Sequence, residues 1–82
     1  MKVAIIGHGA IARYVRAKLP DLGIAEVAQI VRPGKEGHVD DIPLISDLYD
    51  LPQMPDLVVD CGGHAALTAH GPVALKMGID VV

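Results

Sequence analysis

Hydrophobic residues in this chain occur both in short unbroken runs and in stripes at helical spacing, and the two kinds of segment alternate. The runs predict strands at Lys2–Ile6, 25–31, 44–45, Leu57–Asp60 and 79–82. Because strands and helices follow one another in turn, we expect right-handed crossovers between parallel strands. The sequence therefore predicts an α/β fold of Rossmann-like architecture, with a truncated, doubly wound parallel sheet.

Two segments have helical character. Ile11, Val15 and Leu19 form a stripe that predicts a helix over residues 10–19. Residues 64–77 are also helical in pattern, but Pro72 falls in their middle, and a proline inside a helix costs about 3 kcal/mol. We therefore expect two short helices there, the second opened by Pro72 and closed by Gly78.

Two further segments are polar. Residues 35–41 contain glycine and charged side chains and predict a loop. Ser46 is expected to cap one or two helical turns that run through Tyr49. His38, Asp40 and Asp41 lie together in this loop with no matching ligands elsewhere, so we expect a solvated loop and no metal site.

Composition limits the class of protein. The chain has 82 residues and no Trp or Phe, so its core must consist of Val, Ile, Leu and Ala. A net charge of −3, with Lys and Arg dispersed, argues against binding to nucleic acid or to a membrane. One cysteine, Cys61, rules out an internal disulfide and fits a reducing compartment, for which we expect the cytoplasm.

The last residues are apolar and strand-like. We therefore expect residues 1–82 to be the N-terminal portion of a dinucleotide-binding domain, with the catalytic and substrate-binding part outside this chain. The final strand, residues 79–82, would leave an unpaired apolar edge, so a homo-oligomer is expected.

The strongest indication of chemistry is the glycine-rich segment after the first strand. It matches the pattern GxGxxG/A and reads Gly7-His8-Gly9-Ala10-Ile11-Ala12. Gly7 permits a tight turn, Gly9 lets the backbone approach a pyrophosphate, and Ala12 lets the helix lie close to the strand. Free N–H groups at the helix start, including those of Ala10 and Ile11, would face the phosphates, and His8 would point outward.

Arg32 stands where NAD-preferring proteins usually carry an acidic residue, about 20 residues beyond the glycines. Glu26 lies too early in the second strand to replace that acid. Arg32, with Lys35, could receive a 2′-phosphate or stack on adenine, and it could also be a solvated cation. We predict NADP as cofactor alongside NAD.

A second glycine turn follows the strand at Leu57–Asp60 and consists of Cys61-Gly62-Gly63-His64. We expect Gly62 and Gly63 to pass close to the nicotinamide half of the cofactor, with His64 at a helix start near the cleft. A nucleophilic Cys61–His64 pair is an alternative, but a buried cysteine is more often an inert small hydrophobe.

With these motifs, the chain resembles the N-terminal part of the L-aspartate dehydrogenase family, which belongs with the homoserine-dehydrogenase-like NAD(P)-binding proteins. The resemblance covers nearly all of the chain and rests on residues 3–12, 30–33, 56–67 and 70–82. It departs from the family at Ala12, where members usually have glycine, and in length, because members are several times longer.

The resemblance implies reversible NAD(P)-dependent oxidation of the aspartate amine to iminoaspartate, which hydrolyses to oxaloacetate and ammonia and can feed NAD biosynthesis. It carries over no catalytic residue, because that part of the family's sequence has no counterpart here. The alternatives are a non-catalytic nucleotide-binding module, and the cofactor domain of an oxidoreductase resembling homoserine dehydrogenase or dihydrodipicolinate reductase.

Overall fold

The first strand, β1 (Lys2–Ile6), lies inside the sheet, between β2 (Ala25–Ile30) and β5 (Leu57–Asp60), and is parallel to both. The structure, a computed structural model, describes residues 1–7 and 9–82. Within these residues the sheet has six strands in the order β3-β4-β2-β1-β5-β6, where β3 is Gly37–Val39, β4 is Ile42–Ile45 and β6 is Asp80–Val81. Every neighbouring pair is parallel except β3 and β4. The predicted Rossmann-like α/β architecture is confirmed.

Two helices cover opposite faces of this sheet, α1 (Ala10–Lys18) and α2 (His64–Lys76). Alternation along β1 divides its side chains between the faces. Val3 and Ile5 pack with the α1 residue Ala12, whereas Ala4 and Ile6 pack with residues of α2. Since β1 is buried on both sides, it reads as an unbroken apolar run in the sequence.

The segment predicted as a polar loop contains a strand. β3 pairs antiparallel with β4 through a two-residue turn, in which Asp40 (φ 49°) and Asp41 (φ 67°) both have left-handed backbone conformations. Aspartate tolerates this conformation better than most residues, and two positive φ values in succession suit a tight hairpin. All three residues of β3 are exposed, so the strand has no buried face and leaves no hydrophobic alternation to detect.

The expectation of two short helices over residues 64–77 is wrong, because α2 continues without interruption through Pro72. A proline in a helix also clashes with the Cβ of the preceding residue, and this part of its cost is absent here because Gly71 has no Cβ. The helix ends as predicted at a glycine: Gly78 has φ 81°, and its N–H donates to the Leu75 carbonyl at 3.0 Å.

Ser46 does not cap the helical turn that follows it. Asp47 does so, because its carboxylate accepts the N–H of Tyr49 at 2.9 Å ahead of a 3₁₀ turn at Leu48–Asp50. The Ser46 hydroxyl donates instead to Glu36 at 2.6 Å. A second 3₁₀ turn, Pro20–Leu22, follows α1. Among the described residues, no helix has the length and apolar character needed to cross a lipid bilayer.

Candidate functional site

The two predicted glycine turns meet at the carboxyl edge of the sheet, where β1 and β5 end side by side. The Gly7 N–H donates to the Ile30 carbonyl at 2.9 Å, and the residue has φ 117°. A Cβ on Gly7 would lie 2.9 Å from the backbone carbon and oxygen of Cys61, so only glycine fits. A Cβ on Gly62 would similarly lie 2.8 Å from the Cβ of Ala66. The helices that follow β1 and β5 lie on opposite faces of the sheet. In open α/β sheets, ligands bind in the crevice between two such strands.

Gln29, which the sequence analysis did not single out, fixes the first glycine turn. It is buried, and its side-chain amide donates to the Gly7 carbonyl at 2.8 Å. The signal for it was a lone amide between the apolar residues Ala28 and Ile30 of β2. A polar side chain in such a place must find a hydrogen-bond partner, and here the partner is the turn itself.

The N-terminus of α1 is open in front of this turn. The first bond within the helix runs from the Arg13 N–H to the Gly9 carbonyl at 3.0 Å, so the amides of Ala10, Ile11 and Ala12 have no acceptor in the helix. Among the described residues no side chain caps this end, and its first turn holds no acidic residue. A Cβ on Gly9 would meet no atom within 4 Å. Free donors beside open space fit a dinucleotide pyrophosphate.

The N-terminus of α2 has the same character. Gly63 precedes the helix with φ 86° and gives no side-chain cap, and its carbonyl accepts the Leu67 N–H at 3.0 Å. Asp60 at the end of β5 shapes the turn by accepting the Gly62 N–H at 3.0 Å. Both helices that flank the crevice therefore direct uncapped N-termini to the same edge of the sheet.

A cleft of about 940 Å³ opens along this edge on the side of β2, β4 and α2. Five predicted site residues line it: Gly7, Gly9, Arg32, Cys61 and Gly62. Ala10, Ile11 and Gly63 lie at the helix starts beside the cleft without lining it. Among the other lining residues are two polar ones that were not predicted to belong to the site, Ser46 and His70. His8 and the imidazole of His64 lie outside the part of the chain that the structure describes.

Arg32 follows β2 and is exposed in this cleft together with Lys35. Among the described contacts, neither cationic group has a hydrogen-bond or ion-pair partner. The Glu26 carboxylate already has a partner. The Glu26 side chain is only 4% exposed, and the Arg16 guanidinium donates two hydrogen bonds to its carboxylate, at 2.5 and 2.8 Å. Arg32 and Lys35 are therefore available to bind an anion, whereas Glu26 is held away from the cleft edge.

Cys61 is half-buried and joins the strands through its N–H, which donates to the Ile6 carbonyl at 2.8 Å. Burial raises the pKa of its thiol, and the nearby charge of Asp60 raises it further. A raised pKa reduces the thiolate fraction at neutral pH, and the thiolate is the nucleophile. These properties favour an inert cysteine in the cleft wall over a nucleophilic one.

Comparison with known proteins agrees with this geometry. A family model described as "Homoserine dehydrogenase, NAD binding domain" matches residues 7–82. The L-aspartate dehydrogenase of Ruegeria pomeroyi is 41% identical over the whole of this chain, and that of Polaromonas sp. is 30% identical over the whole chain. The chain spans 30% and 34% of the lengths of these relatives, about a third of each. It belongs to the homoserine dehydrogenase NAD-binding domain family, and its cofactor is NAD or NADP.

Proposed function

We propose that this chain is the N-terminal, cofactor-binding portion of an NAD(P)-dependent L-aspartate dehydrogenase. The observation that carries the proposal is the meeting of two uncapped helix N-termini at the glycine turns between β1 and β5. Helix N-termini attract anions through free N–H groups and the helix dipole. The two relatives named L-aspartate dehydrogenase support the choice of reaction.

The proposed roles follow from position along the cleft. The amides of Ala10 and Ile11 bind the pyrophosphate, which Gly9 admits because it has no side chain. Arg32 binds the 2′-phosphate of NADP or stacks on the adenine of either cofactor. Cys61, Gly62 and Gly63 form the wall toward the nicotinamide ribose. His8 and His64 are proposed to contact the cofactor as well.

When bound, NAD(P)⁺ would supply a hydride acceptor for the Cα–H of L-aspartate. As the C=N bond of iminoaspartate forms, the amine loses a proton to solvent, and water then hydrolyses the imine to oxaloacetate and ammonia. The residues described here bind and orient the cofactor for that transfer. None of them is proposed as an acid or base in the reaction, and binding of aspartate is assigned to sequence outside this chain. The free cysteine supports a reducing compartment, for which we propose the cytoplasm.

Calorimetric titration of the natural full-length protein with NAD and with NADP tests cofactor binding. The reaction is tested by following reduced nicotinamide after addition of L-aspartate, with homoserine as the competing substrate. Binding together with turnover of L-aspartate supports the proposal. Binding with turnover of homoserine alone would assign the domain to another oxidoreductase, and binding without turnover of either would favour a nucleotide-binding module. A folded protein that binds neither nucleotide would overturn the assignment.

A further inference from the structure

An exposed carboxylate is hydrogen-bonded to a residue of the cleft wall, in the loop that also carries Arg32 and Lys35. Glu36 follows Lys35 in the loop between β2 and β3, and its carboxylate accepts two hydrogen bonds. One comes from the Gly34 N–H at 2.8 Å and the other from the Ser46 hydroxyl at 2.6 Å. The loop that carries Arg32 is thereby tied to the residue that follows β4.

Ser46 places this carboxylate relative to the cleft. It is half-buried and lines the cleft, immediately after the strand that pairs with β2. The Val31 N–H donates to the Ile45 carbonyl at 2.7 Å, so Arg32 and Ser46 follow neighbouring strand ends. The charge of Glu36 is therefore one hydrogen bond away from a wall that also contains Arg32 and Lys35.

The chemistry at Ser46 and Glu36 differs from that of a binding site that contains only cations. Because the Ser46 hydroxyl donates its proton to Glu36, its oxygen is left to accept hydrogen bonds. The hydrogen bond from Ser46 and, to a smaller extent, hydrogen bonds from the backbone lower the pKa of Glu36. The carboxyl group of Glu36 is therefore ionised at neutral pH. An acceptor backed by a negative charge suits a ribose hydroxyl, which can donate, and opposes a phosphate, which cannot.

Other nearby carboxylates have different partners. Glu26 binds Arg16, Asp60 accepts the Gly62 N–H, and Asp47 accepts the Tyr49 N–H. Arg32 occupies the position where an acid would ordinarily bind the ribose hydroxyls. Among the described residues, Glu36 is thus the carboxylate best placed to act at the end of the cleft that holds the cations.

We propose that Glu36, held by Ser46, is a specificity-determining residue that limits the preference for NADP and preserves binding of NAD. The inference rests on the proposed dinucleotide site and adds to it a determinant of cofactor choice. Arg32 and Lys35 favour the 2′-phosphate, Glu36 opposes it, and the balance of these charges sets the ratio of the two affinities.

The test compares dissociation constants for NAD and NADP in Glu36→Gln, Ser46→Ala and the natural full-length protein. Glu36→Gln keeps the shape and an acceptor oxygen but removes the charge, so binding of NADP should tighten roughly two-fold to eight-fold with NAD unchanged or weaker. Ser46→Ala releases the carboxylate and should move the ratio in the same direction. Asp41→Asn is the matched control, because it removes the same charge at the far end of the β3–β4 hairpin and should leave the ratio unchanged.

A role limited to ordering the loop would change both affinities by the same factor. That result, or a shift toward NAD, in a variant whose circular dichroism is unchanged would overturn the inference and leave the proposed function standing. Failure of the unsubstituted protein to bind either nucleotide would instead overturn the proposed function.

Discussion

Arg32 lies in the cleft with no partner among the described contacts, and its charge is therefore available to a ligand. We expect Arg32→Asp to weaken NADP far more than NAD, because loss of a charge-assisted bond to phosphate costs about 1.5–3 kcal/mol. Calorimetric titration of both nucleotides measures this difference. Lys76→Asp reverses a charge at the far end of α2 and should leave both affinities unchanged. Equal weakening of NAD and NADP by Arg32→Asp would show that Arg32 does not contact the phosphate.

Gly9 offers a separate test at the same scale, because the space in front of its Cα is open. Its backbone angles, φ −83° and ψ −165°, are accessible to any residue, so Gly9→Val should fold normally. The added side chain would occupy the space through which the pyrophosphate reaches the amides of α1. Binding of both nucleotides should be abolished, whereas Ala17→Val, which places a valine at the exposed far end of α1, should bind normally. Retained affinity in Gly9→Val would place the ligand elsewhere.

Residues that act through their backbone could be predicted from the sequence, because the spacing of glycines indicates the turn that the backbone must make. Gly7 and Gly62 could be placed for this reason, and the structure brings them into contact. Hydrogen bonds between distant side chains could not be predicted from the sequence. Ser46 was expected to act locally as a cap, yet its partner Glu36 is ten residues away and is brought close by the antiparallel pairing of β3 with β4.

At the scale of elements, the turn after β1 depends on β2 for its shape. Gln29→Leu would leave the Gly7 carbonyl without this donor inside the protein, which should lower the free energy of unfolding by about 1–3 kcal/mol. Because the turn itself is disturbed, affinity for NAD and NADP should fall by similar factors. Urea denaturation and calorimetry measure the two effects. Gln53→Leu alters an exposed amide that contacts Lys2 and should cost little; a similar loss of stability in both variants would contradict the assigned role of Gln29.

Strands buried on both faces could be predicted because burial alone determines their composition, and β1, β2 and β5 have the predicted positions. β3 could not be predicted, since an exposed three-residue strand exists only through its pairing with β4. The continuity of α2 was missed for a different reason. The general cost of proline in a helix was applied without its dependence on the preceding residue, and Gly71 reduces that cost.

At the scale of the molecule, the cleft lies on the β2–β4 side of β1, so one half of a dinucleotide should contribute most of the binding free energy. In folds of this type the adenosine lies toward β2, which is the side with Arg32, Ser46 and His70. AMP, which is the adenosine half of NAD, should therefore account for most of the stabilisation that NAD gives. A ligand at a hundred times its dissociation constant adds about 2.7 kcal/mol to the free energy of unfolding. Nicotinamide mononucleotide at the same concentration should add far less. Urea denaturation with each ligand measures these gains, and equal stabilisation by the two half-molecules would show that the cleft is not the dominant binding surface.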